Sequence, residues 1–474
     1  MRLYVIAGAG LILAGSMFAY QSLATSEGVS DLFADNCASC HGAGLEGGQA
    51  PSMLDNDWAI GGDDASLTQS ITEGIDGAGM PAFGSRLSAQ EIRSLVVFIR
   101  ETRSNASGPD DSAMANNGIV SSDLHDFQLS DITQVDSSIW GMDFLPDGSL
   151  IFTEVDGNLW LYKDGKTTEI FGIPASWRHR QGGLLDVRAH PDYANNGWIY
   201  LSFAKKSDLI DEASGRELGT TSVVRGRMSD KKWIDEQHIW TGDVEIYRNP
   251  GFHFGSRFVF REGYVYFSTG DGGQQDRAQD KGRVNGKIHR LHDDGRIPED
   301  NPFVGEDGGL ASVWSYGHRN PQGMTESIDG KQIWAAEHGP RGGDELNLIK
   351  KGANFGWPKA TFGINYNGTP ITEHTSLPGM EDPVHHWTPS IAVAGINFYT
   401  GDLFPNWKGD LFVASLGRQQ LHRLRIADGV VTGDEIVLKG KGRIRDVATG
   451  PDGALYITLN DSETGRIVRL DPAE

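Results

Sequence analysis

The chain has 474 residues, with 38% hydrophobic and 22% charged side chains and a formal net charge of −22. That length leaves room for two or three domains, the apolar content excludes a mostly disordered chain, and the acidity argues against a nucleic-acid partner or docking on anionic lipid. Glycine takes 62 positions, well above the usual share of about 7%, and it follows no three-residue period, so it signals many tight turns.

Residues 1–24 carry Arg2, an apolar run from Leu3 to Tyr20, and small residues at Ser22 and Ala24. This reads as a secretory signal peptide, with an uncleaved membrane anchor as the alternative. Either way the remainder is expected to be exported, to the periplasm, and to touch a membrane only if that segment stays attached.

The two cysteines are Cys37 and Cys40, both in Cys-Ala-Ser-Cys-His41. A disulfide framework and a four-thiolate zinc site are excluded. The spacing is the attachment signature of haem c: two thioethers from Cys37 and Cys40, and His41 as iron ligand. A thiol redox pair is the competing reading, but no βαβ pattern surrounds the motif, and a helical stretch, 29–36, leads into it. Met80, in Gly-Met-Pro-Ala-Phe83, is the candidate second iron ligand, with Met53 as the alternative. Ser88-Ala-Gln-Glu91 is a capping box, Leu87 and Ile92 suit its hydrophobic staple, and Leu95, Val96 and Ile99 continue at helical spacing. Residues 25–103 resemble a small class I cytochrome c, an all-α domain. Residues 104–118, rich in Ser, Asn, Asp and Gly, read as a flexible linker spanning roughly 20 Å.

From residue 119 to 474 one pattern recurs six times: Gly, any residue, a short apolar run, then a small residue. It starts at Gly148, Gly197, Gly263, Gly330, Gly409 and Gly453. Aromatic and β-branched runs this short argue for strands. Gly148 and Gly453 lie 305 residues apart, so five intervals give steps of about 61, the scale of a propeller blade. Six units predict an all-β six-bladed propeller; a β-sandwich is the competing architecture. Residues just before each incoming strand and just after each outgoing one then share one face. Gln181, His253, Arg319, Asn320, Gln322, Arg443 and Arg445 fall before the turns, and Asp271, Gly339 and Pro340 after them. Cations converging from several blades on one mouth of an acidic protein suggest an anionic ligand.

These stretches resemble the quinoprotein aldose dehydrogenases, the soluble glucose dehydrogenase type that uses pyrroloquinoline quinone (PQQ). The matches are Gln181-Gly-Gly-Leu-Leu-Asp-Val, His253-Phe-Gly-Ser-Arg257 with Gly270-Asp271, Gly317-His-Arg-Asn-Pro-Gln322, Glu337-His-Gly-Pro340, Asp344-Glu-Leu-Asn347 with Asn354-Phe-Gly-Trp-Pro358, and Arg443-Ile-Arg-Asp446. The resemblance implies that Arg319, Arg443 and Arg445 neutralise the three quinone carboxylates and that Gln181, Asn320 and Gln322 hydrogen-bond the cofactor. It implies His253 as general base, oriented by Asp271. It implies a calcium on the carbonyls of Gly339 and Pro340, and a second, structural calcium at Asp344 and Glu345. Arg418 stands where the glucose dehydrogenases carry a cofactor-binding Lys, and Phe252 replaces the acidic sugar contact of some members. The expected activity is oxidation of an aldose at C1 to the lactone, with electrons passed to the fused haem and on to a respiratory acceptor. The alternatives are oxidation of a non-sugar alcohol and a carbohydrate-binding propeller without cofactor. His190, His385 and His386 are taken as structural or surface residues.

Overall fold

The computed structural model describes residues 28–106, 118–245 and 247–473. The signal segment and residues 107–117 of the linker lie outside the described residues. No helix among the described residues is long and apolar enough to cross a membrane.

The N-terminal domain consists of helices α1 (Val29–Asn36), α2 (Ala38–His41), α3 (Asp64–Glu73) and α4 (Ala89–Ala106). The capping box forms at the start of α4: the Ser88 amide donates to Glu91 Oε2 at 2.7 Å and the Glu91 amide to Ser88 Oγ at 3.3 Å. The helix then runs on through Ala106, three residues into the segment read as linker, because nothing in Ser104-Asn-Ala forbids helical backbone. Ile92, Leu95, Val96 and Ile99 bury one face of α4 against Val29 and Phe33 of α1 and Leu67 and Ile71 of α3.

The remaining chain forms six four-stranded antiparallel sheets. Each of the six Gly-initiated runs is the second strand of its blade: Leu150–Glu154, Ile199–Ile210, Tyr264–Thr269, Ile333–Glu337, Leu411–Ser415 and Leu455–Asn460. The glycines that open them adopt left-handed backbone, as at Gly148 (φ 84°) and Gly453 (φ 81°), which a tight turn requires. A six-bladed propeller is therefore the architecture, and a sandwich is not. The ring closes by strand exchange: Phe127–Val135, the first strand in the chain, pairs antiparallel with the last, Gly465–Pro472, so blade 6 contains both ends of the domain.

Between blades there is no hydrogen-bond ladder, so side chains hold the sheets in register. The small residue that ends the repeat does this in three blades. Ser202 Oγ donates to the Ser256 carbonyl at 2.9 Å, Ser268 Oγ to the Pro321 carbonyl at 2.8 Å, and Thr153 Oγ1 to the Leu185 carbonyl, each on the next blade. Apolar seams fill the remaining space. Between blades 5 and 6, Trp407 is fully buried among Phe127, Tyr399, Phe404 and Phe412. Burial of a side chain of this kind contributes about 1.5–3 kcal/mol.

At the channel axis Arg257, 1% exposed, bonds Asp186 (2.9 Å) and Asp446 (3.0 Å) and donates from Nε to the Gln322 carbonyl. Removing one partner of a buried ion cluster costs about 3–5 kcal/mol, because the remaining charges stay buried. Arg257→Leu should thus lose that much stability in denaturant titration of the full chain. A midpoint unchanged from wild type would show that the axis contributes nothing to holding the blades.

Candidate functional site

The six incoming strands meet at one end of the channel, and the residues that precede or begin them surround a cavity of about 200 Å³. Its lining includes Gln181, Asn320, Gln322, Arg443 and Arg445 from three blades, with Trp140 and His338. The structure therefore brings these five predicted residues together, while Arg319 lies outside the lining.

His253 and Asp271 lie beside them. Nδ1 of His253 is 2.6 Å from Oδ1 of Asp271. His253 holds left-handed backbone (φ 51°), and its own amide donates to Gln181 Oε1 at 2.9 Å, so the loop is pinned across the blade boundary. The Asn320 side chain accepts the Gly255 amide at 3.0 Å from the other side. Asp271 is fully buried. Burial alone would raise its pKa, but the His253 charge and hydrogen bond, then Arg319, and the Gly273 amide, hold it below the ordinary value. With Nδ1 committed to the carboxylate, Nε2 is the ring atom left to take a proton from a ligand.

The sequence did not single out Trp357 for a role, yet its indole N–H donates to Asp271 Oδ2 at 2.9 Å. Both carboxylate oxygens are thus engaged, one by imidazole and one by indole. Arg319 lies over the same indole, 5.3 Å from its centroid, and donates to the carbonyls of His338 and Gly339. Its backbone amide is held by Glu337 Oε2 at 2.6 Å. Glu337 and Trp357 were within the motifs that carry the resemblance, but their partners are distant in sequence and only the fold assigns their roles.

The cation cluster is an unbalanced one. Burial, then Arg443 and Arg257, push Arg445 down to about 9, and burial lowers Arg443. His338 is driven well below its ordinary value by burial and then by Arg319, His253, Arg445 and Arg443, and its Nε2 is buried with no partner. Guanidinium groups pressed together beside an orphaned polar atom are the chemistry of an anion site, and a multiply charged planar carboxylate fits them. Arg418 does not join them: its guanidinium donates to Asn105 of α4 at 2.8 Å.

The predicted calcium positions fit less well. The Pro340 carbonyl already accepts from Ser390 Oγ (2.8 Å) and the Gly343 amide (3.1 Å), and the Gly339 carbonyl from Arg319. At Asp344 one carboxylate oxygen takes the Gly339 amide and the other takes the amides of Ile391, Ala392 and Val393, so this side chain braces blade 5. Glu345 differs. Burial and then Glu337 raise its pKa well above the ordinary value, and Asn347 Oδ1 nearby is buried without a partner. Among the described residues no cluster of three or more His, Cys, Asp or Glu side chains is placed to hold a metal.

In the N-terminal domain Cys37 is half-buried and Cys40 exposed, on either side of the start of α2. Met80 and Met53 both pack, half-buried, on the same apolar cluster as Cys37. Met80 is bridged to Ile75 in a loop so tight that a Cβ on Gly74 would lie 2.7 Å from the Met80 carbonyl. Two thiols, an imidazole and thioethers around one apolar slot fit a covalently held haem.

Residues 136–469 match the model of the Glucose / Sorbosone dehydrogenase family, and residues 25–99 that of Cytochrome C oxidase, cbb3-type, subunit III. The chain is 42% identical over 342 residues to the aldose sugar dehydrogenase of Escherichia coli K12, covering 70% of this chain and 90% of the relative. The apo crystal structure of soluble E. coli aldose sugar dehydrogenase superposes with a TM-score of 0.69 at 39% identity, covering 73% of this chain and 100% of that one. The PQQ-bound aldose sugar dehydrogenase of Streptomyces coelicolor superposes at 0.58 and 26%, covering 73% and 98%.

Trp357→Phe should leave a buried carboxylate oxygen of Asp271 unpaired, at a cost of about 1–3 kcal/mol. Because the folded pKa of Asp271 is depressed, its charged-state stabilisation is present above the unfolded value of about 3.9 and fades as pH falls through the lower folded value. The deficit of the variant should therefore be full at pH 7 and shrink below about pH 4. Denaturation curves at the two pH values check this, and an equal deficit at both would assign the indole a packing role alone.

Proposed function

From its membership of the glucose/sorbosone dehydrogenase family, whose model covers residues 136–469, we propose that this sugar dehydrogenase is an exported, periplasmic PQQ enzyme that oxidises aldoses at C1 and relays the electrons to its own haem c. The observation that carries the reading is the His253–Asp271 pair set beside a surplus of arginines around one cavity. A sugar-binding propeller has no need of such a cation cluster, and a proton acceptor held at 2.6 Å by a buried carboxylate suits a reaction that removes a hydroxyl proton.

The residues divide the work by position. Arg319, Arg443 and Arg445 would hold the carboxylates of the quinone, and Gln181, Asn320 and Gln322 would fix its plane by hydrogen bonds. Bound PQQ supplies a carbonyl carbon able to accept hydride from C1. His253 Nε2 takes the C1 hydroxyl proton, and Asp271 stabilises the imidazolium that results. Trp357 keeps that carboxylate from rotating. Phe252, with Arg180 stacked over it at 4.7 Å, presents an apolar edge where an acidic group would grip a particular hydroxyl, which favours a broad range of aldoses. Calcium at Gly339 and Pro340 would require Ser390 or Gly343 to release the Pro340 carbonyl, so no step is assigned to it here. Oxidation yields two electrons and two protons, and a haem carries one electron at a time to a respiratory acceptor outside the chain.

Purified haem-bearing protein, supplied with PQQ and calcium, should reduce its haem when an aldose is added and not when a simple alcohol is added. Reduction by the alcohol alone would favour the non-sugar reading, and binding of sugar without any oxidation would favour the carbohydrate-binding one. His253→Ala should lower aldose oxidation with an artificial acceptor by about 10²–10⁴-fold and leave quinone binding intact; near-normal turnover would place the base elsewhere. Met80→Ala should lower the haem reduction potential while both thioethers persist. An unchanged potential and ligand spectrum would transfer that role to Met53.

A further inference from the structure

The loop Gly339–Gly343 and the segment 362–368 are tied to each other by the Ile364 amide on the Arg341 carbonyl at 2.9 Å. Together they form a thin wall between Arg319 of the propeller and α4 of the cytochrome. Arg319, which the resemblance assigns to the quinone, grips the wall from the propeller side, through the Gly339 carbonyl (2.7 Å) and Tyr366 Oη (3.4 Å). Arg93 of α4 grips it from the cytochrome side, through the carbonyls of Phe362 (2.7 Å) and Gly342 (3.1 Å). Arg93 also donates to Thr388 Oγ1 at 2.7 Å, pairs with Asp64, and is only 15% exposed.

The approach on this face is close enough to require glycine at two positions. A Cβ on Gly342 would stand 2.8 Å from Val97 of α4, and one on Gly368 would stand 2.7 Å from the Val29 amide of α1. Ile364 of the propeller is buried inside the apolar cluster of the cytochrome. Along α4, Glu101 pairs with Arg341 and Asn105 accepts from Arg418. Arg341 adjoins Pro340, which the resemblance assigned to calcium, and Arg418 stands where the family carries a cofactor-binding Lys, yet both turn to the cytochrome.

We propose that this wall is a fixed electron-transfer contact, with Arg93 as the residue that positions the cytochrome on it, so that electrons leave the sugar site by a held contact and not by collisions of a tethered domain. This rests on the PQQ dehydrogenase reading above. The balance is that of the reaction: an aldose becomes a lactone with loss of two electrons and two protons, the ferric haem is reduced to ferrous twice, and an external one-electron acceptor reoxidises it in between.

The test uses the full haem-bearing chain. Without quinone or sugar, Arg93→Ala should speed amide hydrogen exchange at 339–343 and 362–368 at least tenfold. Loaded with PQQ and given an aldose, the variant should reduce its haem at least tenfold more slowly than wild type, with a rate that now falls with solvent viscosity, while turnover with a soluble dye stays within twofold. Unchanged exchange together with unchanged, viscosity-independent haem reduction would overturn the proposal. If Arg93→Ala takes up no haem, Glu101→Gln carries the same expectation at about threefold. Absence of dye-coupled aldose oxidation in wild type would instead sink the dehydrogenase reading, and the exchange arm would still decide whether the docking is real.

Discussion

One guanidinium at the channel axis sets the frame on which the site is built. Arg257 leads into blade 3, bonds Asp186 of blade 2, Asp446 of blade 6 and the Gln322 carbonyl of blade 4, and lies 4.5 Å over Trp140 of blade 1. Five of six sheets thus converge on one side chain. Each carboxylate also accepts a backbone amide of a neighbouring blade, Asp186 from Phe258 and Asp446 from Met142, both at 2.9 Å. A ring of separate sheets has no ladder to set the rotation of one blade against the next, so these charge-assisted bonds do it. They also fix Gln322, whose side chain accepts from Arg445 at the cavity.

The cavity above this frame is assembled in a state that a protein would not adopt for stability. Arg443, Arg445 and Arg319 crowd a half-buried His338, and His253 sits in left-handed backbone. Such features persist only where the surroundings over-determine them. Here Gln181, Asn320 and Glu337 do so by bonding the backbone of the loops, which leaves Arg443 and Arg445 facing the cavity.

Much of this was legible in the sequence, and the exceptions share a cause. The second strand of every blade shows itself because a Gly turn and an aromatic run are local signals, and the capping box at Ser88 is read within four residues. The faces of the propeller follow from the repeat, which is why Gln181, Asn320, Gln322, Arg443 and Arg445 are expected on one face, and they line one cavity. Arg418 was read as a site cation, but its partner is Asn105, in another domain, and no local pattern reveals that. Asp344 looks like half of a cation site beside Glu345 until blade 5 fills its oxygens with three amides. Trp357 reaches Asp271 across 86 positions, by way of a loop with no periodicity to announce it.

The charge balance of the two domains decides what kind of contact joins them. Residues 25–103 hold 12 acids against 4 arginines, and the whole chain is at −22, so long-range attraction between the halves is weak at best. The structure does not rely on it. Among the described contacts between the two, Arg93 and Arg100 donate to neutral carbonyls of Phe362, Gly342 and Thr388, and Glu101 is the acid that meets a propeller arginine. Salt screens separated surface charges over about 10 Å, but it acts much less on buried, short-range donor–acceptor pairs. A contact of this kind holds its geometry at any ionic strength at which the domains are folded. Its specificity lies in two glycines: Gly342 leaves room for the Val97 side chain of α4, and Gly368 lets the start of α1 approach to backbone distance. The acidic surface of the cytochrome takes little part in this contact.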